Sequence, residues 1–414
     1  MTAQHFAFLE SNTTGTGALA VQRLLARGAR VTFLTRSPEK YPFLDPRPAS
    51  LSVVELDTNV VEQVAAGLAR VMAQDGIDAL LTFSEFYVAI AAEVAALLGL
   101  RYLSPAAARI CRNKPETRRV LRAAGLAVPE SHVVASEDEA RRVAAAMPYP
   151  CVVKPPADSS SRGVRLVRDG RELLEQFAVL HAWRQNDRGQ TLRGEVLIER
   201  LIVGPEVSVE TLTLAPGETR VVGITAKHLS PPPLFVEIGH DFPSTLDAET
   251  AARLEGEVLA ALDAVGFDFG PAHTEVRLTA AGPVVVEINP RLAGGMIPEL
   301  VRHARGIDLL EALLEQVVGH PFDLAPKRAE WASIRFLLAG RRGRLGATTG
   351  MEEALRLPSI REISLGKAAG AAVRPAEEAA DRLGYVIASG PSREQVLADI
   401  EEALERIHLA IDPD

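Results

Sequence analysis

The stretch "VVVEINPRLAGG", residues 284–295, reads as a buried strand that ends in chemistry. Its three valines are residues that favour a strand packed on a core. Glu287 and Asn289 follow two positions apart, so on a strand their oxygens share one face. Arg291 and the pair Gly294 and Gly295 come directly after. Upstream, "HTEVRL" places Glu275 and Arg277 on one strand face, and the turn "TAAG" makes the two runs a hairpin. Three oxygen ligands, two of them carboxylates, then converge. A few hard oxygens with open positions suit Mg²⁺, and the His/Cys set of a zinc site is missing. The plainer alternative pairs Glu275 and Glu287 with Arg277 and Arg291 as buried salt bridges. It leaves Asn289 without a role, and burying charges for stability alone gains little. The metal reading is preferred.

The chain around this stretch has 414 residues, room for two or three domains of about 150 residues. It is 47% hydrophobic and 24% charged, ordinary values for a globular enzyme. A net charge of −9 argues against nucleic acid or an anionic membrane surface as the main partner. An anionic substrate in a local basic pocket stays open. Cys111 and Cys151 are the only cysteines and form neither a CxxC motif nor a disulfide framework, which fits a reducing cytoplasm. "MTAQHFAFLE" has no basic segment ahead of an apolar run, so no signal peptide is expected. No apolar run reaches the length of a membrane span.

The first hundred residues alternate short apolar runs ("HFAFLE", "RVTFLT", "LSVVEL", "IDALLTF") with segments of helical spacing. That alternation predicts a parallel α/β sheet. The loop "GTGALA" (Gly15, Gly17, Ala20) fits a dinucleotide fingerprint, and Arg36 at the end of the next run would suit a 2′-phosphate. An NADP enzyme is therefore one reading. A Gly-rich turn that merely closes a βαβ unit is the other, and it leads. Near residue 112 the texture changes to α+β. Strand-like runs dominate, interrupted by helices near 136–146 and 247–265. A third segment starts near 325 with "AEWASIRFLLAG" and ends with "GYVIASG" and the helix "SREQVLADIEEALERIHLAI".

Three more features carry chemistry. Lys154 ends the apolar run "VVKP", where a lysine either snorkels outward or meets an anion. "DSSSRG", residues 158–163, is a loop of small residues that either covers phosphates or simply closes a hairpin. "IERLIVGPEVSVE" can present backbone groups and the apolar Leu201 and Ile202 to a flat heterocycle, with Glu206 placed to accept from sugar hydroxyls. Alone, it is as well explained by a strand–turn–strand with solvated acids.

The order Lys114, Lys154, "SSSRGV", "IERLIVGPE", "HTEV", "VEINPR" resembles the ATP-grasp superfamily. "ESNTTGTG", "CRNKPETR" and "FVEIGHDFPS" make it most similar to carboxylate–amine ligases of the L-amino acid ligase type. The resemblance implies a mixed α/β and α+β fold in three parts. These are a Rossmann-like pre-ATP-grasp domain over residues 1–112, an ATP-grasp domain over 113–324, and a biotin-carboxylase-like α+β segment over 325–414. It also implies ATP and Mg²⁺ as cofactors, a carboxylic acid and an amine as substrates (both amino acids in the closest likeness), and a homodimer.

By position, the resemblance assigns Lys114 and Lys154 to the α- and β-phosphates, and Ser159, Ser160, Ser161 and Gly163 to the loop over the triphosphate. Glu199 with the backbone of Leu201 and Ile202 would hold adenine, and Glu206 the ribose. Glu275, Glu287 and Asn289 would hold two Mg²⁺. Arg291 would face the transferred phosphoryl group, while Lys227, His240 and Arg277 would lie beside phosphate or substrate. The loop differs from many relatives in having Arg162 and serines where glycines are common.

In the implied reaction, a carboxylate takes the γ-phosphoryl of ATP and an amine displaces the phosphate. Arg291 and the N–H groups of Gly294 and Gly295 are the candidate oxyanion donors. The helix opened by "GMIPELVRHA" offers its N-terminus to a carboxylate. The rival readings are an NADP oxidoreductase, a carboxylase that uses bicarbonate, and a nucleotide-binding regulator without turnover.

Overall fold

The computed structural model describes residues 3–13, 15–159 and 161–413. The expected parallel α/β start is present. Strands β1 (His5–Leu9), β2 (Arg30–Thr35), β3 (Leu51–Glu55) and β4 (Ala79–Leu81) form a sheet in the order β3-β2-β1-β4, with helices α1 (Thr16–Ala26), α2 (Val61–Asp75) and α3 (Val88–Leu98) between them. The "GTGALA" turn closes on itself. Gly17 N–H donates to Asn12 Oδ1 at 3.0 Å, and a Cβ at Gly17 would fall 1.9 Å from Ser11 Oγ. Arg36 donates to the carbonyl of Arg188 at 3.1 Å and stands 4.0 Å from Asp57. The loop is a βαβ closure, and Arg36 is engaged by the chain itself.

Helices α4 (Pro105–Cys111) and α5 (Lys114–Ala123) lead to a small antiparallel lobe. Its strands β5 (Ser131–Val134), β6 (Cys151–Lys154), β7 (Arg165–Val167) and β8 (Val196–Arg200) lie in the order β5-β8-β6-β7. Beside α6 (Glu137–Ala146) this lobe carries α7 (Gly170–His181), a helix absent from the sequence expectation. Asp169 caps it by accepting from Glu172 N–H at 2.8 Å, and Leu173, Phe177 and Leu180 bury its inner face at helical spacing. The lobe docks on the first domain through Arg188, which donates to Ser11 O at 3.0 Å and Tyr41 Oη at 3.1 Å.

The main sheet has eight strands in the order β13-β12-β9-β10-β11-β14-β18-β16. These are β9 (Glu206–Ala215), β10 (Glu218–Leu229), β11 (Glu237–Phe242), β12 (Gly270–Thr279), β13 (Gly282–Asn289), β14 (Trp331–Leu337), β16 (Ile360–Leu365) and β18 (Gly384–Gly390). Helix α8 (Ala248–Ala264) packs Leu254, Val258 and Leu262 on Val276, Val285 and Ile288. Helices α9 (Ile297–Arg305) and α10 (Leu309–Val317) join the other core to Phe8 and Phe33 of the first sheet. The segment from residue 325 enters this sheet through β14, which pairs with β11 in the register Gly239↔Arg335 to Phe242↔Ala332. The last expected helix is shorter than its sequence suggests. Helix α12 (Arg393–Arg406) ends and "HLAID" turns into β19 (His408–Asp412), which pairs with β15 (Gly343–Thr349). Helix α11 (Met351–Leu355) and β17 (Ala372–Val373) complete this region.

The β12–β13 hairpin forms as expected, with Glu275↔Glu287 and His273↔Asn289 directly opposed. A register shift follows Glu275, so that Val276 faces Val285 and Val286 is left over on β13. Such a bulge re-aims neighbouring side chains. Here Val286, Glu287 and Asn289 all line one cavity, while Val285 and Ile288 stay in the core.

Candidate active site

That cavity lies between the small lobe, the main sheet and the first domain, and it gathers residues from all three. At one wall stand the two lysines. Lys114 opens α5, whose first turn is capped by the Asn113 side chain. Its Nζ lies 3.0 Å from Glu287 and donates to Asp158 O at 3.2 Å. Lys154 ends β6 and pairs with Glu199, which also accepts from Arg118 Nε at 2.9 Å. Burial pushes the Lys154 ammonium below its usual range, against the pull of Glu199. Arg118, 1% exposed, donates onward to the carbonyl of bulge residue Val286 at 2.6 Å. The Glu199 carboxylate is therefore committed to two cations, while Leu201 and Ile202 line the cavity directly.

The small-residue loop closes over this wall. Ser159 Oγ donates to Glu85 at 2.8 Å, Ser161 Oγ donates to Phe235 O at 3.0 Å, and Arg162 stacks 4.0 Å over Trp183 while pairing with Asp158. Gly163 has φ 71. Ser160 lies outside the described residues.

The acids sit at the centre. Neither Glu275 nor Glu287 pairs with Arg277 or Arg291 among the described residues. Arg277 holds Glu206 at 2.9 Å and the carbonyl of Gly204 at 3.2 Å; Arg291 holds Glu85 at 2.6 Å. Lys227 joins Glu206, Glu237 and Glu275 at 2.8, 2.9 and 2.8 Å. Glu275 also lies 3.3 Å from His273, which in turn bonds Glu210 at 3.0 Å. Despite burial, Lys227 and His273 hold the Glu275 carboxyl near 2. Glu287 goes the other way, raised by burial and by the Glu85 and Glu275 charges over the opposing pull of Lys114.

The side-chain amide of Asn289 lies 2.8 Å from Glu287 and 2.6 Å from Glu85. With its nitrogen toward them, it donates to both. With its oxygen toward them, three acceptors crowd one point, an arrangement that a divalent cation relieves. No group of three or more His, Cys, Asp or Glu side chains is arranged for a metal among the described residues. The oxygens that converge are two carboxylates and an amide, and Glu275 is held aside by Lys227. Oxygen donors of this kind suit a hard cation.

Glu85 was not anticipated from sequence. It lies just beyond β4, at the carboxyl end of the parallel sheet, where α/β folds bind ligands. That placement, an acid in "LLTFSEF" after an apolar run, was the available signal. Arg112, Arg291 and Lys114 outweigh its burial and hold it far below the carboxylate range. Also unanticipated were Glu237 and Arg382, which pair at 2.9 Å.

His240 is fully buried, and burial lowers its imidazole to about 3. Neither ring nitrogen has a hydrogen-bond partner among the described residues. Gly295, at φ 58, closes on it: a Cβ there would fall 2.6 Å from His240 Nε2. Only glycine lets the backbone approach so closely in that conformation. Gly294 lines the same corner. Helix α9 then begins with no side-chain cap on its N-terminus.

Residues 147–299 match the ATP-grasp domain family, and residues 335–412 match the L-amino acid ligase C-terminal domain 2 family. The uncharacterized protein y4rH of Sinorhizobium fredii is 32% identical over 98% of this chain and 83% of its own length. Alanine–anticapsin ligase of Bacillus subtilis is 26% identical over 61% of this chain and 57% of its own length, so the match spans little more than half of that relative. The crystal structure of an L-amino acid ligase from Bacillus licheniformis superposes with a TM-score of 0.84 at 24% identity, covering 99% of both chains. The chain belongs to the ATP-grasp superfamily and ends in a C-terminal domain of the L-amino acid ligase type.

Proposed function

We propose that the protein is an ADP-forming ligase that activates an amino acid carboxylate as an acyl phosphate and joins it to an amine. The observation that carries this reading is the convergence of Glu85, Glu287 and Asn289 in one cavity, with Lys114 and Lys154 at one wall and Arg291 and Gly295 at another.

In this reading Lys114, Lys154 and the loop of Ser159, Ser160, Ser161 and Gly163 hold the phosphates. Leu201 and Ile202 flank adenine, with Glu199 fixing Lys154 rather than touching the base. Glu206 takes the ribose, and Arg277 and Lys227 hold that carboxylate in place. Arg277, expected near substrate, thus becomes a positioning residue for the nucleotide. Glu275, Glu287 and Asn289 would hold Mg²⁺, which when bound neutralises phosphate oxygens. Arg291 compensates charge on the transferred phosphoryl group, a large contribution where the transition state is loose. The N–H groups of Gly294 and Gly295 stabilise the oxyanion formed when the amine attacks. The loop over the cavity keeps water from the acyl phosphate.

The test is ADP release in the presence of pairs of amino acids, with hydroxylamine used to trap the acyl phosphate as a hydroxamate. Amino-acid-dependent ADP and hydroxamate support the reading. Turnover that needs bicarbonate instead, or ATP binding without turnover, overturns it.

A further inference from the structure

Continuous contacts lead from the Gly294–Gly295 corner to the C-terminal segment. Gly295 abuts His240, and the His240 ring meets Phe336 edge-on at 5.7 Å. Arg382 stacks 3.8 Å over the same Phe336 ring. The guanidinium is fixed from behind: Nε donates to Glu237 O at 3.1 Å and Nη2 to the Glu237 carboxylate at 2.9 Å. Its remaining nitrogen, Nη1, has no partner among the described residues, and Arg382 lines the cavity.

Glu237 engages only two of the three Arg382 nitrogens and is itself shared with Lys227 at 2.9 Å, which leaves Nη1 open toward the cavity. Of the neighbouring guanidiniums, Arg291 pairs with Glu85 and is assigned above to the phosphoryl group, and Arg277 pairs with Glu206. A planar guanidinium clamped on two of its donors and stacked on an aromatic ring is pre-organised, so little freedom is lost when its open donor meets an anion.

We infer that Arg382 anchors the carboxylate of the amine-bearing substrate. This rests on the ligase reading above and deepens it. The C-terminal segment then supplies a specificity contact to a site whose other charged groups come from the first three hundred residues.

The test compares the acceptor that gives most ADP among the proteinogenic amino acids, as free acid and as its methyl ester, in wild type, Arg382→Ala and Arg382→Lys. The wild type should prefer the free acid in kcat/KM. Loss of a charge-assisted contact should reduce that preference about tenfold or more in Arg382→Ala. Arg382→Lys, which keeps charge without the fork, should fall between. A general structural defect would lower both acceptors alike and leave the ratio where it was. An unaltered ratio in both variants overturns this inference alone. A wild type that forms no ADP with any amino acid overturns the ligase reading, and this inference with it.

Discussion

Arg291 donates to Glu85 at 2.6 Å across 206 positions of sequence, and Arg112 takes the other oxygen of the same carboxylate. The contact ties the turn after β13 to the first domain. It also sets a buried acid between two guanidiniums that have no other ion pair among the described residues.

Glu85→Ala should therefore destabilise the fold, since it strands two largely buried cations. Removing one partner of a buried ion pair costs about 3–5 kcal/mol. Urea denaturation would measure it, and a loss below about 1 kcal/mol would contradict the role given to Glu85.

Glu287→Gln separates chemistry from stability. The native carboxylate is already disfavoured by burial and by neighbouring acids, so the neutral amide should leave the thermal midpoint nearly unchanged. ADP formation should fall about 10²–10³-fold, the range for loss of an electrostatic contact at a reacting centre. Turnover near the wild-type rate would remove Glu287 from the metal site.

Lys154→Ala leaves Glu199 with Arg118 as its counter-charge, so the lobe should stay folded. Nucleotide affinity, measured by calorimetry with ADP and Mg²⁺, should drop about tenfold or more. Equal affinity would mean that this lysine only balances Glu199.

His240 gives a pH signature. Its folded pKa is about 3 against an ordinary 6.5, because burial and the Lys227 and Arg382 charges outweigh Glu237. The unfolded chain binds the proton that the native state refuses, so the His240 contribution is neutral above about pH 6.5 and destabilises progressively as pH falls toward 3. Between pH 6.5 and 5 most carboxylates keep their ordinary ionised form, and His5 and His303, also lowered by burial, add to the His240 slope in thermal unfolding. His240→Gln should make it shallower; an identical slope would assign the proton uptake to another group.

Much of the site was legible because it lies in contiguous runs. Glu287, Asn289 and Arg291 follow one strand, and its i, i+2 geometry carried over to the folded chain in spite of the bulge at Val286. Lys154 was legible as a charge where an apolar strand should end. Glu85, Glu237 and Arg382 were not, because each is a single charge whose role depends on where the fold places it. Their meaning comes from partners 206 and 145 positions away. The tail "HLAID" was read as helix since its spacing continues that of α12; pairing with β15 decided otherwise. Helix α7 was missed because "GVRLV" before it and "EVLIERLI" after it drew the whole stretch toward strands.

The hydrogen bonding of β14 to β11 has a consequence for the integrity of the main sheet. The terminal ninety or so residues are not a detachable cassette. Excising them would bare the flank of β11, with buried Phe242 beside it, as a sticky edge inviting aggregation. Any change to this region has to preserve the β11–β14 pairing that stitches it to the rest of the sheet.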